Sequence, residues 1–136
     1  MTNIGDKQLK VTREEIIEYL TEVKEAVEVN RYQIAMNHNR QDNIDLFMNY
    51  VLDEAGAKEV LLDLEVEDFS EKVQNDKEGY KDEQLYIFGK DVRLLERFGN
   101  KKQLVSLYIK FNKLENRYVI VISFHEQKHP LTYYFR

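Results

Sequence analysis

The feature that most constrains the fold is the alternation of apolar and polar residues near the carboxyl end of the chain. Two runs rich in Val, Ile, Phe and Tyr, residues 104–114 and 117–126, are separated by Glu115 and Asn116. A period of two is typical of strands that bury one face, and a two-residue connection containing Asn suits a tight turn. The pattern therefore predicts a β-hairpin.

The predicted register gives this hairpin an apolar face and a polar face. If Glu115 and Asn116 form the turn, cross-strand partners have residue numbers that sum to 231. A slip of one residue would exchange the two faces. The apolar face then pairs Leu107 with Phe124, Ile109 with Ile122, and Phe111 with Ile120. The polar face pairs Ser106 with His125, Tyr108 with Ser123, and Lys110 with Val121.

The polar face carries the residues that we expect to be catalytic. Cleavage of RNA without a metal needs a base for the 2′-hydroxyl proton, cations for the phosphate and an acid for the leaving oxygen. His125 is the candidate for proton transfer, because an unperturbed histidine has a pKa of about 6.5. Lys110 would hold phosphate, and Tyr108 would stack on a base or donate its hydroxyl. Further candidate RNA-binding residues are Ser123, Arg117, Lys113 and Lys128.

A lone histidine at the end of a strand is more often a surface or packing residue than a catalyst. The lysine, tyrosine and serine that share its face favour a functional site. Glu126 follows His125 and is expected on the opposite face. The other histidines, His38 and His129, have no metal-ligand spacing to His125, and the chain has no HExxH, EF-hand, Walker or GxGxxG pattern. We therefore expect neither a metal nor a nucleotide cofactor.

Length and composition restrict the class of protein. The 136 residues suit one domain, with about 12–73 mainly helical and about 84–136 an antiparallel sheet. The absence of cysteine excludes disulfides, thiolate nucleophiles and cysteine zinc sites, and is consistent with a reducing compartment. No signal core is visible, and no apolar run approaches the roughly 18 residues of a membrane span. We expect an unprocessed, soluble, cytoplasmic protein without a membrane partner.

Charge is distributed unevenly along the chain. Residues 1–89 contain 21 Asp and Glu against 10 Lys and Arg, whereas residues 90–136 contain 4 against 10. Such asymmetry suggests that the basic part binds nucleic acid or another acidic partner. Acidic residues at helix starts and on solvated helix faces are also ordinary, which explains the acidic part equally well.

Three helices are predicted before the sheet. Thr12 and Glu15 form a capping box that starts a helix over Arg13 to Glu28. A second helix, from about Asp42 to Asp53, would bury Ile44, Phe47, Met48 and Val51. Gly56 would stop it, and a third helix would run from about Ala57 to Leu64.

The remaining segments complete an α+β fold with helices on one face of a small antiparallel sheet. We interpret residues 31–41 as a polar surface loop, and residues 65–73 as a short helical turn whose Phe69 and Val73 point inward. Residues 84–92 read as a strand that precedes the hairpin. Residues 131–135 read as a short edge strand whose start is restricted by Pro130.

From Lys58 onward, the order of motifs resembles the MqsR-like ribonuclease toxins of bacterial toxin-antitoxin systems, which are relatives of the RelE toxins. VLLDLEVEDF at 60–69 and LYIFGKDV at 85–92 are similar to the segment before the sheet and to the first strand of that family. LYIK at 107–110 resembles its Tyr-x-Lys strand, and VIVISFHE at 119–126 resembles its last long strand. The first 57 residues match only loosely, through the early helix.

The resemblance implies a RelE-like fold and metal-independent cleavage of messenger RNA, neutralised by a cognate antitoxin. The functional tyrosine of the family falls on Tyr108, its strand lysine on Lys110, and its basic residue after Ser-Phe on His125. Its lysine after Asp-Phe falls near Glu71, and the resemblance therefore implies that Lys72, at the next position, is a further RNA-binding residue. A bacterial or phage origin is expected.

Two other functions are compatible with the sequence. A non-enzymatic inhibitor from a phage or mobile element would use its acidic helices to imitate nucleic acid and bind a host nucleic-acid-binding protein. A degenerate toxin fold would retain RNA binding or regulation without catalysis. The endoribonuclease toxin and the degenerate fold would both act through the polar face of the sheet, whereas the inhibitor would act through the acidic helices.

Overall fold

A computed structural model describes residues 8–136 and shows an α+β fold, as the sequence predicts. Three helices pack on one face of a mixed sheet, in which the strand order is β1-β3-β4-β5-β6-β2. The elements are β1 (Gln8–Leu9), α1 (Arg13–Glu28), β2 (Tyr32–Ile34), α2 (Gln41–Asn49), α3 (Glu54–Leu62), a 3₁₀ turn (Val66–Asp68), β3 (Phe69–Gln74), β4 (Gln84–Leu95), β5 (Lys102–Lys113) and β6 (Val119–Glu126).

The first helix has the predicted bounds. The Thr12 hydroxyl accepts a hydrogen bond from the Glu15 backbone N–H at 3.1 Å, which satisfies one of the open donors of the first turn. Apolar residues then recur at helical spacing and face the sheet, and the buried members of this stripe are Ile16, Tyr19, Leu20, Val23, Ala26 and Val27.

The second and third helices differ from the prediction. α2 ends at Asn49, and the chain beyond it is extended, with Val51 N–H donating to the Leu95 carbonyl. Gly56 does not stop α2: it lies inside α3, where its N–H donates to the capping side chain of Asp53. α2 buries Asn43 and Leu46, and the expected core residue Met48 is 55% exposed.

The sheet is not antiparallel throughout. β2 lies within the segment predicted as a loop and pairs with β6 in parallel, Tyr32 beside Val119. Asn30, with φ of 62°, turns the chain out of α1 and into this strand. The segment predicted as a helical turn, 65–73, is a 3₁₀ turn followed by β3, which is antiparallel to β4.

The hairpin forms, but its register differs from the predicted one. Tyr108 lies opposite His125, so partner numbers sum to 233 at this end of the strands. The turn has three residues instead of two, because Arg117 adopts a left-handed φ of 66°. A bulge then shifts the register near Ile122, so that Val119 and Val121 are buried instead of Ile120 and Ile122.

The sheet has a helix side and an outer face. On the helix side, strand residues such as Phe88, Ile109 and Phe111 pack against the helices in the main core. On the outer face a smaller apolar cluster contains Val73, Leu85 and Ile87, with Tyr108, Ile122 and Leu131 packed against it. Of the two residues expected to point inward from 65–73, Phe69 therefore joins the main core and Val73 joins the outer cluster.

The last ten residues, 127–136, form a tail that crosses the outer face without becoming a strand. Its anchors are hydrogen bonds from the Ser70 hydroxyl to the Thr132 carbonyl at 2.6 Å and from the Tyr134 N–H to the Phe69 carbonyl. The edge strand predicted for 131–135 is therefore wrong. No helix within residues 8–136 is long and apolar enough to cross a membrane.

Candidate functional site

A shallow cavity of about 400 Å³ lies on the outer face between β5, β6, the start of α2 and the tail. It brings together five of the residues predicted from sequence as a site. Its lining residues are Asp42, Tyr108, Lys110, Ser123, His125, Lys128, His129, Pro130 and Leu131.

The strands position these side chains despite the error in the predicted register. At this end of the hairpin the observed pairing differs from the predicted pairing by two residues, so each side chain keeps its face. Tyr108 is opposite His125, and Lys110 is opposite Ser123. The polar face inferred from alternation therefore exists, with different partners.

The ring of His125 is held in a defined orientation. It stacks on the ring of Tyr108, with centroids 5.2 Å apart and planes 12° apart. Its Nδ1 lies 2.7 Å from the Glu126 carbonyl oxygen, which can only accept, so Nδ1 carries the hydrogen. In the neutral ring this leaves Nε2 with a lone pair, which is the state that a general base requires.

Asp42 and Lys128 form an ion pair at the rim of the cavity, with 2.8 Å between carboxylate and ammonium. The hydrogen bond from Lys128 holds the pKa of Asp42 below its usual value, and the charge of His125 lowers it further. Asp42 is therefore a carboxylate at neutral pH, close enough to His125 to stabilise an imidazolium.

Asn43 fixes α2 against the bulged part of β6. Its carboxamide oxygen accepts from the Phe124 N–H at 2.8 Å, and its nitrogen donates to the carbonyls of Ile122 and Ala35 at 2.9 and 2.8 Å. The side chain is 1% exposed. It satisfies the edge of β6 where β2 has ended, and so it positions Asp42 beside His125.

The tail forms one wall of the cavity because Gly89 lets it approach the sheet. A Cβ atom at Gly89 would lie 2.2 Å from the Tyr133 hydroxyl and 2.8 Å from a Leu131 methyl. Gln127 strengthens the crossing by donating to the Leu107 carbonyl at 3.0 Å. Only a residue without a side chain fits beneath the tail at this position.

Three predicted RNA-binding residues lie elsewhere. Lys72 is buried on the helix side, where it donates to Glu15 at 2.7 Å, and Lys113 pairs with Glu22 on the same side. Arg117, in the hairpin turn, lies 4.0 Å from Glu22. The structure therefore separates these three cations from Lys110 and His125.

The uneven charge of the sequence is largely compensated in the fold. Ion pairs join basic residues of 90–136 to acidic residues of 1–89, so much of the positive charge of the sheet is neutralised by the helical part. The basic members of these pairs are Lys90, Lys113, Arg117, Lys128 and Arg136. The sheet is therefore not uniformly basic, although the sequence suggested that it would be.

Sequence reasoning missed three residues of this region. Asp42 and His129 both line the cavity. Asp42 is distant from His125 in sequence, and the expectation from sequence treats His129 only as a possible metal ligand. The one signal for Asn43 in the sequence is its spacing: it lies three positions before Leu46 and therefore on the same buried stripe of α2. Within residues 8–136, no group of three or more His, Asp or Glu side chains is arranged to hold a metal ion.

Comparisons of the chain with protein-family models, with curated proteins and with solved structures found no match.

Proposed function

We propose that the outer-face cavity cleaves single-stranded RNA without a metal, and that the protein is an endoribonuclease toxin neutralised by a cognate antitoxin. The observation that supports this most is the state of His125: its Nδ1 is engaged with a carbonyl, its ring is stacked, and lysines stand beside it. This combination is what transfer of a 2′-hydroxyl proton beside a phosphate requires.

In the proposed reaction, His125 Nε2 accepts the proton of the 2′-hydroxyl. The 2′-oxygen attacks the adjacent phosphorus, the bond from phosphorus to the 5′-oxygen breaks, and the 5′-oxygen takes up a proton. His129 lines the same cavity and is our candidate for the donor of that proton. The products are a 2′,3′-cyclic phosphate and a 5′-hydroxyl.

The other residues act on charge and orientation. Lys110 and Lys128 would stabilise the negative charge that develops on the phosphate oxygens. Asp42 would stabilise the imidazolium of His125 and already holds Lys128. Tyr108 orients the histidine ring, and Ser123, which is 6% exposed, orients the phosphate through its hydroxyl.

Induced expression in bacteria tests the proposal. The wild type is expected to arrest growth and to create new RNA 5′ ends. His125→Gln should relieve the arrest, because loss of one proton-transfer group costs about 10²- to 10⁴-fold in rate. Lys110→Gln should also relieve it, because it removes a cation that stabilises the charge developing on the phosphate. His38→Gln and Lys77→Gln are the matched controls, since both residues are exposed and lie outside the cavity.

Toxicity that is equal in the wild type and in both site variants would reject this cavity as the site. A wild type that neither arrests growth nor cuts RNA would reject the toxin. The inhibitor would then be favoured by one feature, the exposed acidic side of α1 formed by Glu14, Glu18, Glu25 and Glu28. Charge reversal on that side would then be expected to abolish binding to the host protein.

A further inference from the structure

The long hairpin of β4 and β5 continues well beyond the neighbouring strands. Within the described residues, β3 pairs with β4 only as far as Phe88, and β6 pairs with β5 only from Leu107 onward. Residues 91–106 therefore form a hairpin extension, and the segment of residues 49–51 pairs with its first strand at residues 95–97. Its inner side is anchored, because Leu94 and Val105 are buried in the main core.

Unpaired positive charge is concentrated on this extension. Arg93, Lys101 and Lys102 are exposed, and none forms an ion pair with a residue that the structure describes. Most other cations of residues 90–136 form ion pairs with acidic residues of 1–89. The fourth cation of the extension, Arg97, donates to the Phe47 carbonyl at the end of α2.

Apolar and aromatic surface accompanies this charge. Phe98 at the tip is 84% exposed, and Leu104 is 59% exposed. Leu104 lies opposite Arg93, and Lys102 lies two residues before Leu104 on the same side of β5. An exposed aromatic ring among cations is the arrangement by which proteins bind single-stranded nucleic acid, through base stacking and phosphate contacts.

The extension and the cavity face the same side of the sheet. Lys102, Leu104, Tyr108 and Lys110 occupy alternate positions of β5, and no bulge interrupts the pairing of β5 with β4. At about 3.3 Å per residue, Lys102 is about 20 Å from Tyr108 along the strand. The tail crosses the sheet between the two regions, at Gly89.

We propose that the hairpin extension is a docking surface for single-stranded RNA, in which Arg93 and Lys102 bind phosphates and Phe98 stacks on an unpaired base. This inference rests on the proposed function for its choice of partner. It assigns substrate binding to a region separate from the residues that act on the scissile phosphate.

Binding of a fluorescein-labelled, 2′-O-methylated single-stranded RNA of mixed sequence to the full chain tests the docking surface, because this RNA cannot be cleaved. The double variant Arg93→Gln/Lys102→Gln should bind at least tenfold more weakly at low salt. It should also reduce the slope of log affinity against log salt by about 1.4, or about 0.7 for each phosphate contact. Lys77→Gln/Lys81→Gln, which removes two exposed lysines between β3 and β4, should change neither quantity.

Phe98→Ala separates stacking from charge. It should weaken binding by roughly 5- to 100-fold while leaving the salt slope unchanged. The docking surface is rejected if the wild type does not bind this RNA, or if the Arg93/Lys102 variant binds as the Lys77/Lys81 variant does.

A separate cleavage assay on unmodified RNA distinguishes this inference from the proposed function. RNA binding through the extension without any cleavage would reject the endoribonuclease and keep the docking surface. Cleavage by the wild type, together with RNA binding that is unchanged in the Arg93/Lys102 variant, would keep the endoribonuclease and reject the docking surface.

Discussion

At the scale of single residues, Gly89 and His125 show how local contacts build the cavity on the outer face. A residue with no side chain lets the tail cross the sheet, and the tail supplies His129 to the cavity that contains His125. The orientation of His125 comes from its neighbours in the strands: Tyr108 across the pairing and the carbonyl of Glu126 beside it. Local contacts thus determine both where the tail forms the wall of the cavity and how the His125 ring is oriented in it.

Gly89→Ala should lower the free energy of unfolding by about 1–3 kcal/mol, the usual cost of overpacking. The added methyl group would overlap the Tyr133 hydroxyl. Urea unfolding followed by circular dichroism measures the change. Tyr133→Phe should recover part of the loss in the double variant, because it removes the overlapping atom.

Gly99→Ala serves as the control, since the nearest atoms there belong to the flexible side chain of Glu96. Its effect should stay within about 0.5 kcal/mol. A Gly89→Ala protein as stable as the wild type would mean that the tail does not lie against β4.

At the scale of elements, α2 and β6 depend on each other through one side chain. Asn43 replaces the missing neighbour strand at the bulge, where both Ile122 and Phe124 present backbone groups to it. Phe47 adds a stacking contact with Phe124 at 6.0 Å between ring centroids. The start of α2, and with it Asp42, is held at the cavity by this junction.

Asn43→Ala should lower the free energy of unfolding by about 2–4 kcal/mol, because it leaves a buried donor and two carbonyls without their partner. Asn49→Ala, at the exposed end of the same helix, should change stability by no more than about 0.5 kcal/mol. Chemical denaturation of both variants gives the comparison, and equal stabilities would argue against the junction.

The elements also show what a sequence can and cannot predict. α1 was predicted with its bounds because its cap and apolar stripe are local, and the polar face of the hairpin followed from alternation. β2 was missed because its partner β6 is far away in sequence, and the bulge in β6 because Asn43, which binds there, is 79 and 81 residues from Ile122 and Phe124. The location of Lys72 and Lys113 on the helix side could not be predicted for the same reason: their carboxylate partners are 57 and 91 residues away.

At the scale of the whole molecule, ion pairs between the acidic and basic parts of the chain link α1 to the sheet. The Lys113 hydrogen bond holds the pKa of Glu22 below its usual value of 4.5. Burial raises the pKa of Glu15, but hydrogen bonds from Lys72 and Tyr86 outweigh this and leave the pKa lowered. Both carboxylates thus favour the folded state only while they are charged.

The free energy of unfolding should therefore be nearly constant from pH 7 to about pH 5 and fall below about pH 4.5. A carboxyl group whose pKa is lowered by folding stabilises the protein above its unfolded pKa and loses that effect as it is protonated. Glu22→Gln should lower stability at pH 7 and make the acid loss smaller. Denaturant titrations at several pH values measure both effects.

Glu18→Gln is the matched control, because Glu18 is exposed on the same helix and forms no ion pair with a described residue. It should leave both the stability at pH 7 and the acid loss nearly unchanged. An identical acid loss in the Glu22 variant and the wild type would show that this ion pair does not contribute.

The proposed cleavage is tested most directly by identifying the ends of RNA cleaved by the purified protein in EDTA. Attack by the 2′-hydroxyl with His125 as the base predicts 2′,3′-cyclic phosphate and 5′-hydroxyl ends, no cutting where the 2′-hydroxyl is replaced by hydrogen, and a rate at least 10²-fold lower for His125→Gln. Cutting that persists at a 2′-deoxy position, or that is unaffected by loss of His125, would contradict it.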